Sequence, residues 1–167
     1  MKRWLGGGVA AWAGLAFALA ACSSQAHGRH SRATPSAVQT RHALSGLPVI
    51  DLTVTHQHRQ HRFRVEVAST PEAQERGLMF RKAMGADEGM IFPMPSGQPA
   101  SFWMKNTVLP LDIIFIDLDG RISNIAANAR PYDETPLYSV GAVSGVLELN
   151  GGRAAQLGIE PGDTVKW

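Results

Sequence analysis

The chain has 167 residues, 44% of them hydrophobic and 18% charged, with six histidines and one cysteine; this composition supports one core of moderate size and excludes global disorder. The single cysteine excludes an intrachain disulfide framework and any multi-cysteine zinc site. The formal charge of +2 is unevenly spread, with +2 in residues 1–21, +3 in 22–47 and −3 in 48–167, and no basic stripe with interleaved aromatics is present, so nucleic acid is disfavoured as a partner.

Lys2 and Arg3 precede an apolar run over residues 4–21, the pattern of a secretory signal peptide whose charged end stays cytoplasmic while the apolar part enters the bilayer. That run is 18 residues long and holds four glycines, short and weak for an uncleaved membrane span. The segment Leu19-Ala20-Ala21-Cys22-Ser23-Ser24 resembles the lipobox of bacterial lipoproteins. The resemblance implies that the Cys22 thiol receives a diacylglycerol, that the signal is cut just before it and that the new amine is acylated; Ser23 resembles the second residue of lipoproteins sent on to the outer membrane. A plain signal peptide cut after Ala18-Leu19-Ala20 is the alternative. Several acyl chains hold a protein on a membrane almost permanently, so the expected location is the cell envelope, facing the periplasm. Residues 22–47 lack periodic apolar positions and are expected to form a flexible tether with a reach of about 25–30 Å.

Two β-rich runs, 49–54 and 62–67, flank the polar His56–His61 stretch and predict a hairpin. Thr70-Pro71-Glu72 has the signals of a helix start, and the helix is expected to continue to about Phe80. Asp87-Glu88-Gly89 marks a turn before a short strand over 90–92, and four residues among 93–99 are Pro or Gly, which predicts an irregular loop. Strands are expected over 101–107 and over 111–118, the latter apolar on both faces and so centrally placed. Asp119-Gly120 turns into a strand over 121–127. A strand region over 140–149, a short helix over 151–157 closed by Gly158 and a last strand ending at Trp167 complete the domain. Seven or eight short strands with two short helices predict a mainly β fold, a compact sandwich or barrel-like domain over 48–167.

Arg76-Gly77-Leu78-Met79-Phe80-Arg81, Gly89-Met90-Ile91-Phe92, Phe102-Trp103-Met104-Lys105-Asn106-Thr107, Pro110-Leu111-Asp112-Ile113 and Leu147-Glu148-Leu149-Asn150-Gly151-Gly152 occur in this order, and together resemble the domain of unknown function 192 (DUF192) family. The resemblance spans about 49–167 and implies a compact, mostly β domain, often exported. It implies no activity, substrate or cofactor.

Arg76, Arg81, Lys105, Asp112 and Glu148 are charged residues inside apolar segments, where an unpaired charge is costly, so they are expected to pair with one another. On an extended segment Trp103 and Lys105 share a face. A binding site for a small polar or anionic ligand, or for an envelope partner, is therefore expected at Arg76, Trp103, Lys105, Asn106, Asp112 and Glu148, with an arginine or lysine holding the anion over the Trp103 ring. The alternative is an envelope hydrolase acting on a cell-wall or sugar polymer through the carboxylates Asp112 and Glu148; no serine or threonine lies in a nucleophile motif. His56, His58 and His61 lack a neighbouring carboxylate or thiolate and are read as loop residues, and the five methionines within 79–104 as gap-fillers of the core rather than Cu(I) ligands. No metal or cofactor is expected.

The membrane anchor has a direct test: Cys22→Ala is expected to move the mature chain from the membrane to the soluble periplasmic fraction, and a variant that stays membrane-bound contradicts lipidation.

Overall fold

The computed structural model describes residues 40–167; the expected signal peptide, Cys22 and most of the expected tether lie outside them. Nine strands and two short helices follow one another as β1 (Val49–His56), β2 (Arg59–Val67), α1 (Pro71–Arg76), β3 (Glu88–Pro93), β4 (Pro99–Phe102), β5 (Leu111–Ile116), β6 (Ile122–Ala129), β7 (Leu137–Ala142), β8 (Gly145–Asn150), α2 (Arg153–Leu157) and β9 (Thr164–Lys166). Seven strands form one sheet in the order β6-β5-β8-β3-β2-β1-β9, and β4 pairs with β7 in a second, two-stranded sheet. Among the described strands only β2 and β3 run parallel. The large sheet curls into a half-barrel, as the mainly β reading anticipated. At one end its two edges meet: Arg121 bridges Thr164, and the Ile122 and Val165 amides donate to Asp163 and Gly120 carbonyls at 2.9 and 2.8 Å.

The pleat sorts the apolar residues of this sheet to two faces. All seven strands contribute to the inner cluster, which includes Leu52, Phe63, Ile91, Ile114, Leu147 and Val165. The outer cluster contains Met90 and Phe92 of β3, Ile113 and Phe115 of β5 and Val146 of β8, and it is covered by Leu78, Met104 and Val143 from the connections. Strands β3, β5 and β8 therefore bury both faces, and every residue of β5 is buried. Such a centre needs close backbone approach at Gly89, where a Cβ would lie 2.5 Å from the Glu148 carbonyl oxygen. Phe102 joins the outer cluster edge-on to Phe92 and Phe115, with centroids 5.0 and 6.1 Å apart.

Five local expectations are corrected. The first hairpin is longer than predicted and turns on Gln57 and His58 alone, with Gln57 left-handed at φ 50°; His56 thus sits at a strand end, where its Nδ1 lies 2.9 Å from the Asp163 carboxylate. The α1 helix stops at Arg76 because Gly77 takes φ 45°, a turn beneath which the Phe92 ring lies 3.3 Å from a built Cβ. The strand expected over 101–107 ends at Phe102. Beyond it Met104 is drawn into the outer core and its amide donates to Asp133, so the backbone turns instead of pairing. The strand region 140–149 divides into β7 and β8, which belong to different sheets. Residues 40–47, read as the end of the tether, instead fold onto the domain: Arg41 bridges Pro48, and the Ser45 hydroxyl donates to Glu66.

Asp112 belongs to this framework. It is fully buried, and its carboxylate accepts the amides of Asn128 (2.7 Å), Gly152 (2.9 Å) and Ala154 (2.8 Å). The last two open α2, whose N-cap is a glycine without a side chain of its own to cap it, so a carboxylate from β5 caps the helix and complements its dipole. Asp112→Ala is expected to destabilise the domain by about 3–5 kcal/mol in urea denaturation, because it strands three backbone donors; a loss under about 1 kcal/mol contradicts this role.

Candidate ligand-binding site

Thr70 caps α1 by accepting the Ala73 amide at 3.2 Å, and the Gln74 side-chain amide donates to the Pro93 carbonyl at 3.0 Å, fixing the helix across the end of β3. After Gly77 the chain buries Leu78 and turns at Phe80, whose φ is 63°. The Phe80 amide donates to the carbonyl of Asn106, itself left-handed at φ 53°, and the Asn106 amide group lies 3.9 Å from the Met79 sulfur. Two left-handed non-glycine residues bonded to one another join the end of α1 to the loop that follows β4. Backbone strain of this kind clusters at functional sites.

That loop is anchored from inside by Met104 and Thr107, both buried, which leaves Trp103 47% exposed and Lys105 half-buried above it. The Lys105 Nζ stands 4.9 Å from the Trp103 ring centroid, a cation–π contact. The expectation that these two residues lie together is met, although a loop rather than a strand brings them there.

Between α1 and this loop opens a cavity of about 400 Å³. Arg76, Met79, Trp103 and Lys105 line its sides, Phe92 lies deeper, and Glu148 is the buried carboxyl in its wall. Glu148 shares its face of β8 with Val146, toward the outer core, and its cross-strand neighbours are Met90 and Ile113. It is 5% exposed, and its Oε2 has no hydrogen-bond partner. Burial with nothing to compensate it pushes the pKa up to about 8.

The expected pairing among the charged residues is thereby corrected. Arg81 forms a bidentate bridge with Glu66 at 2.8 and 3.0 Å, a buried acid that the sequence reading missed because it occupies an alternating strand position like its solvated neighbours Arg62 and Arg64. Asp112 is held by backbone amides. Among the described residues neither Arg76 nor Lys105 has an ion-pair partner. Asp112 and Glu148 are not brought together: Asp112 pairs in register with Leu149, an inner-face residue, whereas Glu148 pairs with Ile113 of the outer face. Two carboxylates on opposite faces of a sheet cannot flank one glycosidic bond, so the hydrolase arrangement is not formed. Asn106 reaches the outer rim, where a second hollow of about 470 Å³ shares Arg76, Trp103 and Lys105. A larger hollow of about 740 Å³ adjoins α1 on the side of Leu44 and Leu47, but its Arg81 is already bound to Glu66.

Of the histidines, His56 is engaged by Asp163, His58 is exposed and His61 is half-buried; among the described residues no group of three His, Cys, Asp or Glu side chains could hold a metal ion. Met90 and Met104 are core residues, and Met84 and Met94 pack against that core.

Glu148 gives the domain a pH signature. Below pH 4.5, its ordinary value, the carboxyl is protonated in the folded and unfolded chain alike and its burial carries no ionic penalty. Between 4.5 and 8 only the unfolded chain releases the proton, so stability falls by roughly 1.4 kcal/mol per pH unit, and the penalty is complete above pH 8. Glu148→Gln is expected to match the parent near pH 4.5 and to exceed it by a few kcal/mol near pH 8 in urea denaturation; parallel pH profiles contradict the assignment.

A crystal structure of a protein of unknown function from Novosphingobium aromaticivorans is similar to this chain at 55% identity and a TM-score of 0.76, covering 79% of this chain and 94% of that one. A putative transcription regulator from Sinorhizobium meliloti is similar at 42% identity and a TM-score of 0.68, covering 70% of this chain and 91% of its own. No curated protein matches. The family model DUF192, described as an uncharacterised ACR, matches residues 52–167, a stretch that contains the whole cavity between α1 and the Trp103 loop. The chain belongs to the DUF192 family.

Proposed function

We propose that this protein is a lipid-anchored binding protein of the cell envelope, with a periplasm-facing domain that holds a small polar or anionic ligand in the cavity between α1 and the Trp103 loop. The observation that carries the reading is an acid, Glu148, buried in the wall of a cavity whose sides present two cations, with Glu148 Oε2 unsatisfied and both cations without ion-pair partners among the described residues. A buried polar atom without a partner is rare in folded proteins, and its commonest explanations are a bound ion or water, a store of strain, or a functional role. Arg76 and Lys105 supply charge-assisted donors for a carboxylate or phosphate, and the half-exposed Trp103 supplies a flat apolar surface. The anchor is supported by the lipobox-like run ending at Cys22, which lies outside the described residues. A regulator of transcription acting on DNA is not supported, since residues 48–167 carry 14 acidic against 11 basic residues.

The test is a thermal-shift screen of sugar acids, phosphate esters and dicarboxylates on the mature chain carrying Cys22→Ala. A ligand at a hundredfold excess over its Kd stabilises by about 2.7 kcal/mol, several degrees in Tm. At least one class is expected to do so, with the shift lost in Arg76→Ala and in Trp103→Ala. No shift across the screen, or shifts that survive both substitutions, contradicts the reading.

A further inference from the structure

The accessible part of the cavity carries two cations and one exposed acid, Glu75, and its wall one buried acid. Arg76 and Lys105 are the cations of its more accessible parts, at an exposed helix end and a half-buried loop position. Glu148 is the buried acid, and its Oε2 has no partner. A ligand bearing only an anion would engage Arg76 and Lys105 in the accessible part and leave the buried Glu148 carboxyl without a partner. A ligand bearing only an ammonium would meet Glu148 and leave two cations unpaired. A ligand with both groups satisfies all three side chains. The aromatic ring of Phe92, which lines the same cavity, also favours a cation at that depth, and about 400 Å³ is room for a molecule of amino-acid size.

We propose that the cavity takes a small zwitterion of the free α-amino acid class, its ammonium inserted against the Glu148 carboxyl and its carboxylate held by Arg76 and Lys105 beside the Trp103 ring. This rests on the binding reading above and narrows it. The ammonium donates to Oε2 and keeps its own protons, so Glu148 must be ionised in the complex. Because the free protein holds the carboxyl protonated at neutral pH, the O–H proton passes to solvent as the ligand enters. The other titratable groups lining the cavity are Glu75 and Arg76 of α1 and Lys105 of the facing loop; the strand neighbours Met90 and Ile113 do not titrate.

The experiment is isothermal titration of the mature Cys22→Ala chain with the free proteinogenic amino acids, each accompanied by its deaminated acid and its decarboxylated amine, at pH 7 in phosphate and in Tris. At least one amino acid is expected to bind ten-fold or more tighter than either of its single-charge analogues. Comparison of the two buffers should show release of about 0.9 proton per ligand, the fraction that a group with pKa near 8 holds at pH 7. In Glu148→Gln the affinity should drop at least ten-fold and the proton release vanish. Deaminated acids binding as tightly as their parents, with no proton released, overturn the zwitterion assignment while leaving an anion site at Arg76 and Lys105. Binding of no amino acid overturns it as well, and the screen of anions then decides separately whether the cavity binds anything. Tight binding retained in Glu148→Gln also overturns it.

Discussion

Everything that distinguishes this domain turns on the placement of one carboxyl in a strand that is buried on both faces. In β8, Leu147 and Leu149 enter the inner core, so the pleat sends Val146 and Glu148 to the outer one. There Glu148 meets Met90 on one side and Ile113 on the other, neither of which can donate a hydrogen bond. An acid in that position either acquires a partner or stays neutral, because ionising it unpaired in an apolar setting costs far more than shifting its pKa. Two residues of the same chain show the usual solutions. Glu66, on the adjoining strand pair, is matched bidentately by Arg81, and Asp112, on the opposite face, is matched by three backbone amides. Glu148 alone of these buried acids is left with an orphaned oxygen, and it is the one that faces a cavity.

The covering elements follow from the same need to close the outer face. Leu78 and Met104 are the plugs that seat α1 and the 103–110 segment over the sheet. Seating Met104 inward bends the chain out of a strand, and the left-handed conformations of Phe80 and Asn106 absorb that bend through a shared backbone hydrogen bond. The consequence is a rim in which Trp103 and Lys105 project from a strained loop and Arg76 from a helix terminus. The buried methionine and the backbone bond fix the backbone of the loop that carries Trp103 and Lys105, which reduces the ordering a ligand must impose.

Much of this fold was legible in the amino-acid pattern, for identifiable reasons. The unbroken apolar run of β5 announces a strand covered on both faces, and Asp119-Gly120 announces its turn; both hold. Thr70 and Pro71 mark the start of α1 because a cap and a proline act locally, whereas its early end at Gly77 was hidden by an apolar sequence that continues the helical pattern. Trp103 and Lys105 were recognised as neighbours through strand periodicity, which fails in detail because a tertiary demand, the burial of Met104, overrides local preference. The pairing of the charged residues was the least legible. Which acid meets Arg81, and that Asp112 and Glu148 face opposite ways, depend on the register of β5 against β8 and on the parallel pairing of β2 with β3, long-range facts that no local pattern encodes.

The claim on which the account rests is that Glu148 is a neutral, unpartnered acid in the free protein at neutral pH. Its carboxyl carbon reports this directly in a 13C NMR titration of the ligand-free chain, assigned by comparison with Glu148→Gln. A midpoint near 8 is predicted. A midpoint near 4.5, the ordinary value for a glutamate, would mean that Glu148 is solvated or paired in solution, and would contradict both the site and the ligand class assigned to it.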